Sequence, residues 1–315
     1  MADSKTLEEK LAASEAFRTL RAEREVVDAL TRHGWDARHS PFYRDGVTGK
    51  FRELDATARR IWHSVERKPP ITARVHLFVE VKSAREFHIL CASAAASSRR
   101  FQANEYWLGY CEDTLAQLAG AAAEFGLKPS QVKDFIHGVE KICFPKHTMR
   151  VAPFRIDAMP AVNSYSAFRE TNIGAEKDLE NSVLWRALTG VRSAITRSKS
   201  EMVEGIVGDA RVDMEVARRN RKGPLAYTGV IESRASAIDL YVPIVVIESR
   251  LWSAERESPA ELPWFRLVEN TLYGGSENWA DVVNNRHLDS YLAALSEYFG
   301  GTFSELGAAE MSLGA

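Results

Sequence analysis

Segments with strand character lie towards both ends of this chain, and long helical segments lie between them. That order limits the possible folds more than any single motif. "ARVHLFVEVK" (73–82) sets Val75, Leu77, Val79 and Val81 at the period of two that marks a strand. In the last third, "IDLYVPIVVIES" (238–249) reads as a buried apolar strand, and "PWFRLVENTLY" and "WADVVN" as two more. "RHLDSYLAALSEYF" (286–299) closes as an amphipathic helix, and residues 5–33 form an opening helix that stops at Gly34. Between that helix and residue 73, "WDARHSPFY" reads as a short strand, "RDGVTG" as a turn and "KFRELDATARRIW" as a further strand. Residues 112–142 and 174–207 are rich in Ala, Leu and Glu at helical spacing. Strands at both ends of a helical middle imply one α/β sheet split in sequence by a helical insertion, with two separate domains as the alternative. The expected parts are 1–110 (first helix and first strands), 111–210 (helical insertion or lobe) and 211–315 (closing sheet segments and helix).

The net charge of −2 excludes a global basic field that would draw the whole molecule onto nucleic acid or membrane. Any nucleic-acid contact must use a local patch. The densest basic run is "ARRNRKG" (217–223), where Arg218, Arg219, Arg221 and Lys222 are candidates to meet phosphates. The competing reading of that run is a solvated loop. Cys91, Cys111 and Cys143 lack metal-ligand spacing and read as reduced thiols. With a charged, helix-forming start and no apolar run of membrane-spanning length, a cytoplasmic location and no membrane partner are expected.

The chemistry centres on "LFVEVKSA" (77–84). Glu80 and Lys82 share one face of a strand whose other face carries Val79 and Val81. An acid and an amine on an apolar strand are costly when buried, so they form either a solvated edge pair or a site. Asp55 lies upstream on the preceding expected strand, with Glu53 on the same face, and Glu23 sits in the first helix two positions from Glu25. Hard divalent ions take oxygen ligands and keep several waters with one or two carboxylates. Asp55, Glu80 and the Val81 carbonyl are a candidate set for Mg²⁺ or Mn²⁺. Lys82 would orient or help deprotonate a water and stabilise phosphate charge, and Glu23 would position Lys82 or add a ligand through water. Glu53 reads as a neighbour of Arg52. His76 shares the Glu80 face and is a further candidate to approach the site.

The ordered set of helical Glu23, Asp55 in "RELD" and Glu80-Val81-Lys82 in "VEVK" resembles the PD-(D/E)XK, restriction-endonuclease-like nucleases. "EREVVDALTRHGW" is similar to the first helix of restriction-type members, and the closing segments from 236 to 300 to their last strands. The proline of the motif name is replaced by Leu54. The resemblance implies a restriction-endonuclease-like mixed sheet flanked by helices. It also implies metal-dependent endonuclease activity on DNA, with RNA not excluded, in defence against foreign DNA, and a homodimer. Catalysis would fall to Glu23, Asp55, Glu80 and Lys82. The family also contains inactive and non-nuclease members, so the alternatives for this chain are a noncatalytic binding or assembly module that retains the fold and a nuclease silent until a partner or ligand engages it.

Overall fold

The computed structural model describes residues 6–45, 48–64, 71–83, 87–92, 112–128, 130–132, 134, 164–172, 182–220, 222, 226–227, 229–230, 237–269, 278–305 and 309–311. Arg221, Cys111 and Cys143 lie outside the described residues.

The chain runs α1 (Leu7–Ala12), α2 (Glu15–Arg32), β1 (Asp36–His39), β2 (Phe42–Arg44), β3 (Phe51–Glu53), β4 (Ala56–Ser64), β5 (Ile71–Lys82) and β6 (His88–Ala92). Helix α3 (Glu112–Ala123), strands β7 (Ser164–Tyr165) and β8 (Ala167–Thr171), and the 37-residue helix α4 (Val183–Arg219) follow. Last come β9 (Ala237–Ile247), β10 (Arg250–Ser253), β11 (Ala260–Leu262), β12 (Trp264–Glu269), β13 (Asn278–Asn284), α5 (Leu288–Glu305) and β14 (Ala309–Glu310). The result is a mixed α/β protein.

The main sheet has the order β1-β4-β5-β9-β13-β12-β7, with β14 added on β4. β5 is antiparallel to β4 and parallel to β9, which in turn runs parallel to β13. Strands from both ends of the chain therefore form one sheet. A smaller sheet has the order β11-β10-β6-β8, and β2 pairs with β3 as a hairpin. At the centre, Val242 and Ile244 to Ile247 of β9 are all buried, as a parallel strand covered on both faces requires.

Helices supply that cover. The pairing register puts Trp62 on the same sheet face as Ala73, Val75, Leu77 and Val79, and there it meets Phe303 of α5 at a ring separation of 4.6 Å. α2 lies beside α5, tied by Arg32 and His33 to Asp289. The even-numbered face of β5 carries Glu80, which lies against Gly190 of α4. The expected helical insertion thus contributes, through α4, one of the helices flanking the sheet.

Local chemistry fixes where α4 starts. Buried Glu170 on β8 accepts hydrogen bonds from the backbone N–H groups of Val183 (3.0 Å) and Leu184 (2.6 Å) and from the Ser182 hydroxyl (2.7 Å). The Ser182 hydroxyl in turn accepts from Trp185 N–H, so the helix's first donors are satisfied and an acid sits at the positive end of its dipole. Deeper in the core, Arg266 makes a two-pronged ion pair with Asp281 (2.8 Å and 2.8 Å), and the Tyr291 hydroxyl donates to the same carboxylate at 2.6 Å. Among the described residues, no helix is long and apolar enough to cross a membrane.

Candidate active site

The strand expected over 50–62 is broken. Its first part is β3 in the hairpin with β2, β4 begins at Ala56, and Asp55 stands at the bend between them. The bend is held by backbone bonds from Ser40 N–H to Asp55 O (3.0 Å) and from Leu54 N–H to Pro41 O (3.1 Å). Freed from strand alternation, the Asp55 carboxylate reaches across to β5 and accepts from the backbone N–H of Val81 at 2.6 Å.

Lys82 completes the group. Its Nζ lies 2.5 Å from Glu80 Oε2 and 3.4 Å from Asp55 Oδ2. Glu80 is only 7% exposed; β9 pairs alongside it, whereas the pairing with β4 ends at Val79 and the Lys82 side chain keeps 28% exposure. The pair is partly buried rather than fully solvated. Burial pushes the Glu80 carboxyl up to about 7; the Lys82 charge opposes that rise and the Asp55 charge adds to it. Burial acts to lower the Lys82 ammonium, yet Glu80 and then Asp55 outweigh it and hold the group above its ordinary value. Without a metal, the two carboxylates thus favour the charged form of Lys82.

Glu23 is the acid of α2 that turns inward. It is buried, whereas Glu25 is exposed and pairs with Arg21 at 2.9 Å. Burial first, and then the Asp55 charge, raise the Glu23 carboxyl above its ordinary range. Its hydrogen-bond partner is His39 Nε2 at 3.1 Å rather than Lys82, which corrects the expectation that Glu23 positions the lysine. His39 carried no sequence signal beyond its place on β1. Glu23, Asp55, Val81 and Lys82 line one cavity of about 240 Å³, together with Val183 and Arg186 of α4. Two α4 residues therefore matter that the sequence did not single out. Arg186 adds a guanidinium to the wall, and Gly190 lets the helix approach so closely that a Cβ there would sit 2.9 Å from Glu80 Oε1.

Other candidates lie elsewhere. His76 turns to Asp239, its Nε2 lying 2.8 Å from Oδ1. Glu53 is exposed, and Arg52 pairs with Asp45 at 2.8 Å instead of with it. Arg218 and Arg219 are not in a loop but in the last turn of α4, where both pair with Glu215. They stand 28 residues beyond Gly190, about 42 Å along the helix, so they do not border the cavity. Lys222 is exposed just past that end.

The donor set suits a hard divalent ion. The Asp55 and Glu80 carboxylates meet one ammonium, and the Val81 peptide joins Glu80 to Lys82. Among the described residues no group of three or more His, Cys, Asp and Glu side chains gathers into a cage. Mg²⁺ does not need one, since it is commonly held by one or two carboxylates and keeps waters. A divalent cation beside Glu80 would offset the desolvation that raises its carboxyl.

Comparison with known proteins returned nothing: no family model, no curated protein and no solved structure matches the chain.

Proposed function

We propose that the protein is a metal-dependent nuclease of the PD-(D/E)XK type, with a restriction-endonuclease-like sheet, acting on phosphodiester bonds of DNA in defence against foreign DNA. The observation that carries the reading is that Asp55 and Lys82 share one cavity at the end of β5 with Glu23 from a separate helix, while Glu80 holds Lys82 from behind that wall. Sequence neighbours alone do not account for it, because Asp55 reaches Val81 from 26 residues away.

Asp55, Glu80 and the Val81 carbonyl would hold Mg²⁺ or Mn²⁺, which supplies Lewis acidity and a water of lowered pKa when bound. Lys82 donates hydrogen bonds to the attacking water and to the phosphate oxygens as negative charge grows on them. The Glu23 carboxylate, on the same cavity wall, is placed to take the proton the water loses. Arg186 offers its guanidinium to a second phosphate oxygen on the open side. As oxygen bonds to phosphorus, the bond to the leaving sugar oxygen breaks.

Incubation of the full chain with supercoiled plasmid tests the reading. Nicking or linearisation that requires Mg²⁺ or Mn²⁺ and stops in EDTA supports it. An intact plasmid in both metals, from protein whose metal binding calorimetry has established, would favour a noncatalytic module or a nuclease awaiting an activator.

A further inference from the structure

The apolar stripe of α4 is interrupted. Leu184, Ala187, Leu188, Val191, Ala194 and Ile195 are buried, and so are Val203, Val207, Ala210 and Met214, but none of the residues from 196 to 202 is. At helical spacing a core-facing stripe would continue through that turn. There Met202 packs partly against the core, while Arg197, Ser198 and Glu201 line a gap beside it, and the sheet face below carries polar side chains beside Phe78. The register sets Asp36 opposite Arg59, Arg38 opposite Thr57, and Arg59 opposite His76, which brings Asp36, Arg38, Arg59 and His76 onto one face. Between helix and sheet lies a cavity of about 330 Å³.

Its charges are only partly matched. Arg59 reaches Asp36 at 3.0 Å, but its buried Nε has no partner. Arg197 pairs with Glu201 at 2.7 Å. His76 gives Nε2 to the fully buried Asp239, which also holds Arg74 at 2.7 Å. Arg38 lines the cavity and makes no ion pair among the described residues. Beside these cations stands Phe42, a lining residue left 71% exposed. An aromatic face in solvent next to a guanidinium without an ion pair, here Arg38, is the pairing that recognises a base and its phosphate. The volume falls within the range of small-ligand sites, roughly 300–1,000 Å³.

We propose that this cavity binds a nucleotide, with its phosphate on Arg38, Arg59 and Arg197 and its base stacked on Phe42. His76 lies four residues before Glu80 on the same strand face, about 13 Å away, so one bound strand can occupy this cavity and the Lys82 cavity together. The nucleotide is either a unit of such a strand or a free molecule, and the two sources are separable. Binding here stands apart from cutting at Lys82. A polar layer that served packing alone would not need Arg38 or Phe42, since one has no ion pair and the other is mostly in solvent.

The experiment uses the full chain in EDTA, so that cleavage cannot interfere and failure of this proposal is distinguishable from failure of the nuclease reading. Anisotropy of a fluorescein-labelled oligothymidylate and calorimetry with AMP are compared for the parent, Arg38→Ala and Phe42→Ala, with thermal melts verifying that both variants fold. The expected result is oligonucleotide binding weakened about tenfold by Arg38→Ala, with the salt slope reduced by about one, and at least about fivefold by Phe42→Ala. AMP binding that is lost in the same variants assigns the site to a free nucleotide; oligonucleotide binding without AMP binding assigns it to a strand. Absence of binding by the parent in both arms, or variants that bind as the parent does, overturns the proposal.

Discussion

Replacing Gly190 by Ala should separate stability from activity. Within a helix the exchange gains about 1 kcal/mol of backbone propensity. Here the new Cβ would stand 2.9 Å from Glu80 Oε1 and 3.3 Å from Cδ, whereas ordinary contact begins at 3.4 Å. The carboxylate must give way by about half an ångström while tethered to Lys82 at 2.5 Å. Moving a side chain off its rotamer costs about 0.5–1.5 kcal/mol, so the two contributions nearly cancel and the melting temperature should hardly change. Catalysis is less tolerant, because a 1 Å misplacement costs about 10²-fold; a shift of half that size should slow metal-dependent cleavage by about tenfold. Gly205 and Gly208 on the same helix are internal controls, since a Cβ there meets nothing within 4 Å. Alanine at either should raise the melting temperature by about 2 °C and leave cleavage unaltered. Scanning calorimetry and initial rates on plasmid measure both quantities. A folded Gly190→Ala protein that cuts and binds Mg²⁺ as the parent does would refute the claim that Glu80 must sit where α4 holds it.

Three further outcomes follow from other contacts. Asp281→Ala strips a fully buried carboxylate from Arg266 and Tyr291 and should cost about 3–5 kcal/mol in urea unfolding, because it strands a buried cation. Glu170→Gln removes the charge that accepts from Val183, Leu184 and Ser182, and should cost about 1–3 kcal/mol by the same assay while loosening the end of α4 that lines the site. In EDTA, Glu80 binds its proton more tightly in the folded chain, to about 7, than at its ordinary 4.5. Folding stability should therefore fall as pH rises from about 4.5 to 7, and urea unfolding of Glu80→Gln across that window should show a flatter slope.

The sequence carries much of the sheet, because β5, β9 and β13 announce themselves by local alternation or continuous apolar runs. The grouping of the candidate residues was legible in part, from acids and a lysine spaced around one strand: Glu23, Asp55 and Lys82 line one cavity, and Glu80 contacts Lys82. What stayed hidden depends on tertiary contact. The bend at Asp55 interrupts a strand-like run, and is held by bonds from Ser40 and Leu54 that no local pattern reveals. The basic run at 217–223 resembled a loop because its charges were visible, whereas the buried Ala210, Met214 and Ala217 that extend the helix were masked by Arg, Asp and Glu between them. Gly190 and Arg186 looked like ordinary helical residues, and only the docking of α4 onto β5 gives them a role. The second sheet joins β6 and β10, which pair from about 160 residues apart, beyond the reach of periodicity.

The central claim assigns different work to Asp55 and Lys82, and one paired measurement tests that division. Mg²⁺ and Mn²⁺ binding by calorimetry and cleavage of supercoiled plasmid are compared for the parent, Asp55→Ala and Lys82→Ala. The account predicts that Asp55→Ala loses metal binding and cutting together, while Lys82→Ala keeps the metal and loses the cut. Cleavage by both variants at the parent's rate would contradict it and place any nuclease activity away from the cavity between α2, α4 and β5.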